Sequence, residues 1–140
     1  MLYSKTTKYA ILSLAELARH APGAAVPTRK IAEAAGAPYP LLAKVMIHLN
    51  RSGLVESVRG KAGGVRLAKP AEEIRILDVV TALEGDGILH DCPLFLEACS
   101  CEQVCDFHEI WKPARDGLIR FLERTSIRSV ADAQAAGASG

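Results

Sequence analysis

Two short apolar stripes at helical spacing, parted by a glycine, constrain the fold of this chain most. Ile31, Ala32 and Ala35 form the inner face of a helix opening at Pro27-Thr28, with Thr28 the expected N-cap, and Gly36 ends it. Ala37-Pro38-Tyr39-Pro40 breaks the pattern. Leu41, Leu42, Val45, Met46 and Leu49 then line a second helix, closed by Gly53, from which Lys44, His48 and Arg51 point away. Two short helices around a glycine-bearing turn predict a helix-turn-helix, the arrangement whose second helix enters a DNA major groove.

The next residues sharpen that expectation. Leu54 to Val58 alternates as a strand does, Arg59-Gly60-Lys61-Ala62-Gly63-Gly64 is a basic glycine-rich turn, and Val65 to Ala68 supplies a second strand. A helix-turn-helix followed by a basic hairpin is a winged helix. Ahead of it, Ala10, Ile11, Leu14, Leu17 and Ala18 recur at helical spacing within a first helix over residues 5–19.

A boundary is expected near Lys69-Pro70. Beyond it Ile76, Leu77, Val79, Val80 and Leu83 mark a fourth helix that Gly85-Asp86-Gly87 terminates. Ile110, Trp111, Ala114, Leu118, Ile119, Phe121 and Leu122 mark a last long helix. Proline is accepted only in a first helical turn, so Pro113 predicts that this helix begins near Trp111 or kinks there. The Ala/Gly/Ser-rich stretch 131–140 is expected to fray as a flexible tail. The chain thus reads as mainly α with a small β-hairpin wing, in segments 1–70, 71–130 and 131–140.

With 140 residues, 49% of them apolar, the chain is long enough to build a core without a metal or disulfides, so any metal would be functional. It has no apolar run of membrane-spanning length, and its first residues lack a secretory pattern, so a cytoplasmic protein without a membrane partner is expected. The net charge of +1 conceals a division: residues 1–70 hold 11 Lys+Arg against 3 Asp+Glu, a net of +8, and residues 71–140 hold 6 against 13, a net of −7. A folded basic half points to a polyanion, and double-stranded DNA is the default. Lys5, Arg29, Lys30 and Lys44 are the expected phosphate contacts. Tyr39, His48 and Arg59 are the candidates for reading bases, and Arg59 and Lys61 occupy the wing turn. Ser4 and Thr28 complete the basic module's expected contacts.

All four cysteines fall within residues 92–105, as Cys92, Cys99, Cys101 and Cys105, and His108 follows the last by three positions. In a reducing compartment clustered thiols serve metals or redox switches more often than disulfides. Structural zinc sites favour close pairs. Cys92, Cys99 and Cys105 are instead spaced x6 and x5, a loop wide enough to wrap an iron–sulfur cluster. A two-iron cluster accepts an imidazole in place of a thiolate, which makes His108 a natural fourth ligand. Cys101 and His90 compete for that place, and Asp91 and Glu102 are remoter candidates. The chain has no glycine-rich phosphate loop after a strand, no H-E-x-x-H and no nucleophile elbow, so nothing argues for an enzyme.

Tyr3-Ser4-Lys5 with Tyr9-Ala10, the run Gly53-Leu54-Val55 through Val58-Arg59-Gly60 with Gly63-Gly64-Val65 and Leu67, and Cys105-x2-His108-x2-Trp111 together resemble the Rrf-two family of bacterial winged-helix regulators. That family includes an iron–sulfur biogenesis regulator and a nitric-oxide-sensitive repressor. The resemblance covers about residues 1–130. It implies a homodimer in which long C-terminal dimerisation helices cross and each protomer holds one cluster. It matches Cys92, Cys99 and Cys105 to the family thiols and His108 to a histidine ligand. Pro38, Tyr39, Pro40 and Leu41 then open the recognition helix, and Arg59 is the wing arginine.

Three departures set this chain apart. Cys101 is an additional thiol in the loop and an alternative ligand. Lys8 replaces an aspartate that in the repressor reaches the partner's cluster, which favours a 2Fe-2S cluster with His108 over a 4Fe-4S one. Ala43 replaces an acidic residue of the recognition helix, so the operator sequence does not transfer. The expected function is a transcriptional regulator whose operator affinity follows an iron–sulfur cluster sensing iron, redox state or nitric oxide. The alternatives are a thiol or zinc switch on the same fold and, more remotely, a small electron carrier.

Overall fold

A computed structural model describes residues 2–96, 98–99 and 105–137. Helix α1 (Lys5–Ala18) is capped by Ser4, whose Oγ accepts from the Thr7 N–H at 3.2 Å. Its buried face carries Thr7, Ala10, Ile11, Ser13, Leu14, Ala15, Leu17 and Ala18. Helix α2 (Thr28–Ala35) buries Ile31 and Ala32 and ends at Gly36, whose left-handed backbone (φ 68°) lets the Gly36 and Ala37 N–H groups return to the last turn. Helix α3 (Tyr39–Arg51) buries Leu42, Val45, Met46 and Leu49 and leaves Leu41 half-buried.

Strands β1 (Val55–Val58) and β2 (Gly64–Leu67) form the antiparallel wing, with Val55 opposite Leu67 and Val58 opposite Gly64. The exposed Glu56–Arg66 pair, 2.9 Å apart, lies on adjacent strands at that register. Val26 pairs with Val65 through reciprocal backbone bonds of 2.9 and 2.8 Å, which fastens the wing to the segment leading into α2. Gly64 makes this approach possible. It has φ 149°, and a Cβ there would stand 2.2 Å from the Val26 carbonyl oxygen.

A 3-10 turn (Ala71–Glu73), α4 (Ile76–Glu84), the single-turn α5 (Gly87–His90), α6 (His108–Arg124) and α7 (Ile127–Ala135) complete the chain. Ile76 N–H donates to the Thr125 carbonyl at 2.9 Å and Ile127 N–H to the Ile74 carbonyl at 2.8 Å, so the ends of α4 and α7 meet in a short antiparallel bridge. Helix α7 then lies against α1. Leu122, Ile127 and Ala131 join Leu14, Ile31, Leu42 and Val79 in one continuous core. The Glu72–Arg128 pair at 2.9 Å ties α7 to the 3-10 turn, and its bonds hold the Glu72 carboxyl below the usual range, its own backbone N–H first and Arg128 next.

Four local expectations change. The cap of α2 is Pro27, with no side-chain bond, and Thr28 is already helical, because a proline fits just ahead of a helix where no N–H is needed. Helix α6 starts at His108, three residues before Trp111, and keeps Pro113 inside it. The carbonyls of Cys105 and Phe107 accept the His108 and Trp111 N–H groups and so begin the helix early. Residues 131–135 belong to α7, where Ala131 is buried against the rest of the core, and residues 138–140 of the expected tail lie outside the described residues. The short α5 was not expected.

Gly64→Ala should weaken folding by roughly 1–3 kcal/mol through backbone strain and the clash with Val26. Urea unfolding checks the loss. Faster amide exchange at Val26 and Val65 than elsewhere in the core places it in the wing.

Candidate nucleic-acid interface and cysteine pocket

Burial of Leu42, Val45, Met46 and Leu49 turns the other side of α3 outward. Pro38, Tyr39, Pro40, Lys44 and His48 are exposed, as are Arg29 and Lys30 on α2, while Thr28 is half-buried. Arg29 lies over the Tyr39 ring with its Cζ 4.2 Å from the centroid. Arg59 and Lys61 are exposed at the wing turn, where Gly60 takes φ 104°. The positively charged residues expected at a polyanion are thus accessible on α2, α3 and the wing.

Ser4 and Lys5 sit at the start of α1 in a different setting. The Ser4 N–H and Oγ donate to Glu84 Oε2 at 3.1 and 3.2 Å, and Thr7 Oγ1 donates to the same oxygen. A carboxylate at a helix N-terminus also meets the favourable end of the helix dipole. Burial, followed by the nearby Glu84 charge, raises the Tyr3 phenol above its ordinary value. Lys5 Nζ stands 5.7 Å from the Tyr9 ring centroid. No sequence signal marks the Glu84 contact, since Ser4 and Glu84 are 80 residues apart.

The other candidate site lies between α5 and α6. Asp91 bridges Ala98, and the Cys99 N–H donates to the His90 carbonyl at 2.7 Å, which closes the start of the loop into a hairpin-like turn. Inside it the Leu94 and Phe95 N–H groups both donate to Cys92 Sγ at 3.4 Å. Such N–H to sulfur bonds orient a ligating sulfur and tune what it binds. Cys92-Pro93 was their only trace in the sequence, a proline preset for a turn.

Cys92, Cys99, Cys105 and His108 line one small pocket, walled by Phe95, Phe107 and Trp111. Cys92 and Cys99 are half-buried and Cys105 is exposed. His108 Nδ1 and Trp111 Nε1 are buried and have no hydrogen-bond partner among the described residues. Four expected ligands therefore face one cavity. No three of the described His, Cys, Asp or Glu side chains are grouped closely enough to hold a single metal ion. Cys101 and Glu102 lie outside the described residues. His90 is exposed and pairs with Asp86 at 3.6 Å, and Asp91 lines an adjacent groove. Neither shares the cysteine pocket. No helix among the described residues is long and apolar enough to cross a membrane.

Comparison with known proteins settles the kinship. The family model Rrf2, described as an iron-dependent transcriptional regulator, matches residues 3–133. The chain belongs to the Rrf2 family. An HTH-type transcriptional regulator of Aquifex aeolicus is 35% identical over 133 residues, which span 93% of this chain and 91% of the relative. The HTH-type transcriptional regulator IscR of Photorhabdus laumondii is 30% identical over 127 residues, spanning 91% and 77%. The winged fold is shared with CymR, described as the global cysteine regulator of B. subtilis, with TM-score 0.79 and 24% identity over 93% of this chain and 95% of that one. This Rrf2 protein is a DNA-binding transcriptional regulator, and its relatives are regulators rather than enzymes.

Proposed function

We propose that operator affinity in this Rrf2 regulator is set by an iron–sulfur cluster held by Cys92, Cys99, Cys105 and His108. The observation that carries the reading is the single pocket lined by those four side chains, with the His108 Nδ1 buried and unpartnered among the described residues. The iron-dependent character of the family model supports it. Four donors spread around a cavity suit a 2Fe-2S cluster better than one ion. Such a cluster, when bound, supplies a redox-active centre whose imidazole bond is sensitive to protonation.

The chain's own part is mechanical. The Leu94 and Phe95 N–H groups aim the Cys92 sulfur, and the rings of Phe95, Phe107 and Trp111 line the pocket beside it. Cys92 and Cys99 belong to the loop after α5, whereas His108 begins α6, so holding them together fixes α6 relative to α4 and α5.

Helix α6 is also the proposed dimer contact. Ile110, Ala114, Gly117 and Phe121 repeat at i, i+4, i+7 and i+11, and Ile110 and Phe121 are among the most exposed apolar side chains. Small residues at the centre of such a stripe let two helices cross closely. In a two-fold dimer the recognition helices must stand about 34 Å apart to enter successive major grooves, so a change in how α6 sits shifts that spacing. Lys5, Lys30 and Lys44 are proposed phosphate contacts, and His48 and Arg59 are proposed base contacts. Reading an operator requires the protein to work beside the chromosome, in the cytoplasm.

A second reading rests on the exposure of Cys105, which suits a thiol switch on the same fold. Anaerobic purification with iron and sulfide counts separates the two. About two irons and two sulfides per chain are expected, with loss of the visible absorbance in a folded Cys105→Ala variant. About four irons would call for further ligands such as Cys101, and zinc or free thiols without iron would favour the switch.

Arg59→Ala should lower operator affinity by roughly 1–3 kcal/mol in a gel-shift titration, and unchanged affinity removes Arg59 from the interface. Gly117→Arg should yield a monomer by sedimentation, with weakened operator binding, because a long charged side chain cannot enter a close helix crossing.

A further inference from the structure

The contact between Arg29 and Tyr39 joins two helices at the point where the reader helix begins. Arg29 is the second residue of α2 and Tyr39 the first of α3. Both are exposed, and the guanidinium carbon stands 4.2 Å from the ring centroid. Arg29 makes no ion pair among the described residues. An exposed stack of this kind adds little to folding, so its value lies in where it holds the guanidinium.

Two features make Tyr39 a firm platform. Pro38 caps α3 and Pro40 stands in its first turn, so the backbone is restricted on either side of Tyr39. A guanidinium laid on an aromatic face keeps its N–H edge free, and that edge matches the O6 and N7 acceptors of guanine in a bidentate pair. The first residues of a recognition helix are the ones that meet base edges.

We propose that Arg29, held against Tyr39, reads a guanine in the major groove of the operator, with Tyr39 acting as the positioning residue. This replaces the phosphate role that its charge alone suggests. The proposal rests on α3 being the reading helix, and it predicts specificity that Lys at position 29 cannot reproduce, since an ammonium lacks the planar fork.

The test is selection of binding sites from randomised duplex DNA by the full chain and by Arg29→Lys, Tyr39→Phe and Tyr39→Leu. The wild type and Tyr39→Phe should enrich the same guanine. Arg29→Lys and Tyr39→Leu should lose about tenfold or more of the discrimination at that one position, leaving the other positions intact. Unchanged base preferences in Arg29→Lys, with a charge-removing Arg29→Gln variant that binds all sequences more weakly and shows a salt dependence lower by about one phosphate, would make Arg29 a phosphate contact and overturn the proposal. Equal losses in Tyr39→Phe and Tyr39→Leu would overturn the platform role. A wild type that enriches no sequence would sink the assignment of α3 as reader, and this proposal with it. The upfield ring-current shift of the Arg29 side chain, present in the free wild type and absent in Tyr39→Leu, reports the stack independently of DNA.

Discussion

Helix α1 carries Ala10, Ser13, Ala15 and Ala18 on its buried face, and these small side chains let other elements approach its backbone from several directions. Helices α2, α3, α4 and α7 and strand β2 all pack against it. Leu14, fully buried, fills the centre of that arrangement. Close packing of this kind makes the neighbours interdependent, since an interior at crystal-like density transmits a displacement rather than absorbing it. Helices α2 and α3 and the C-terminal helices therefore share one core.

That sharing gives the cysteine pocket a packed route to the proposed DNA-reading surface on α2, α3 and the wing. The pocket is formed where α5 and the following loop meet the first turn of α6, and α6 in turn packs on α4. At its far end α4 presents Glu84 to the Ser4 and Thr7 groups that start α1. Under the proposed function, a change at that pocket would act through α6 and α4 on elements packed against α1, where α2 and α3 also pack. The pairing of Ile74–Ile76 with Thr125–Ile127 closes the same unit from the other side.

Much of this was legible in the chain. The stripes of α2 and α3, the glycine stop at Gly36 and the alternating wing strands are local patterns, each written within a few residues, and each was recovered. The clustering of the cysteines was equally plain, because all four fall within residues 92–105. What escaped was set by contacts across the chain. Residues 131–135 read as an Ala-rich tail because alanine and glycine carry no strong apolar signal, yet Ala131 is small enough to pack tightly once α1 is in place. The early start of α6 depended on carbonyls of the preceding loop, and the Glu84 contact joined residues 80 positions apart.

The sequence by itself determined the winged reader, the division of charge between the two halves and the four candidate ligands, because short-range periodicity, net charge and ligand chemistry are properties of neighbouring residues. Only the tertiary structure decided that Cys92, Cys99, Cys105 and His108 line one pocket, that Arg29 lies on Tyr39, and that α7 returns to the first helix. Those pairings join residues from separate elements, and they exist only when burial of a common core brings the elements together.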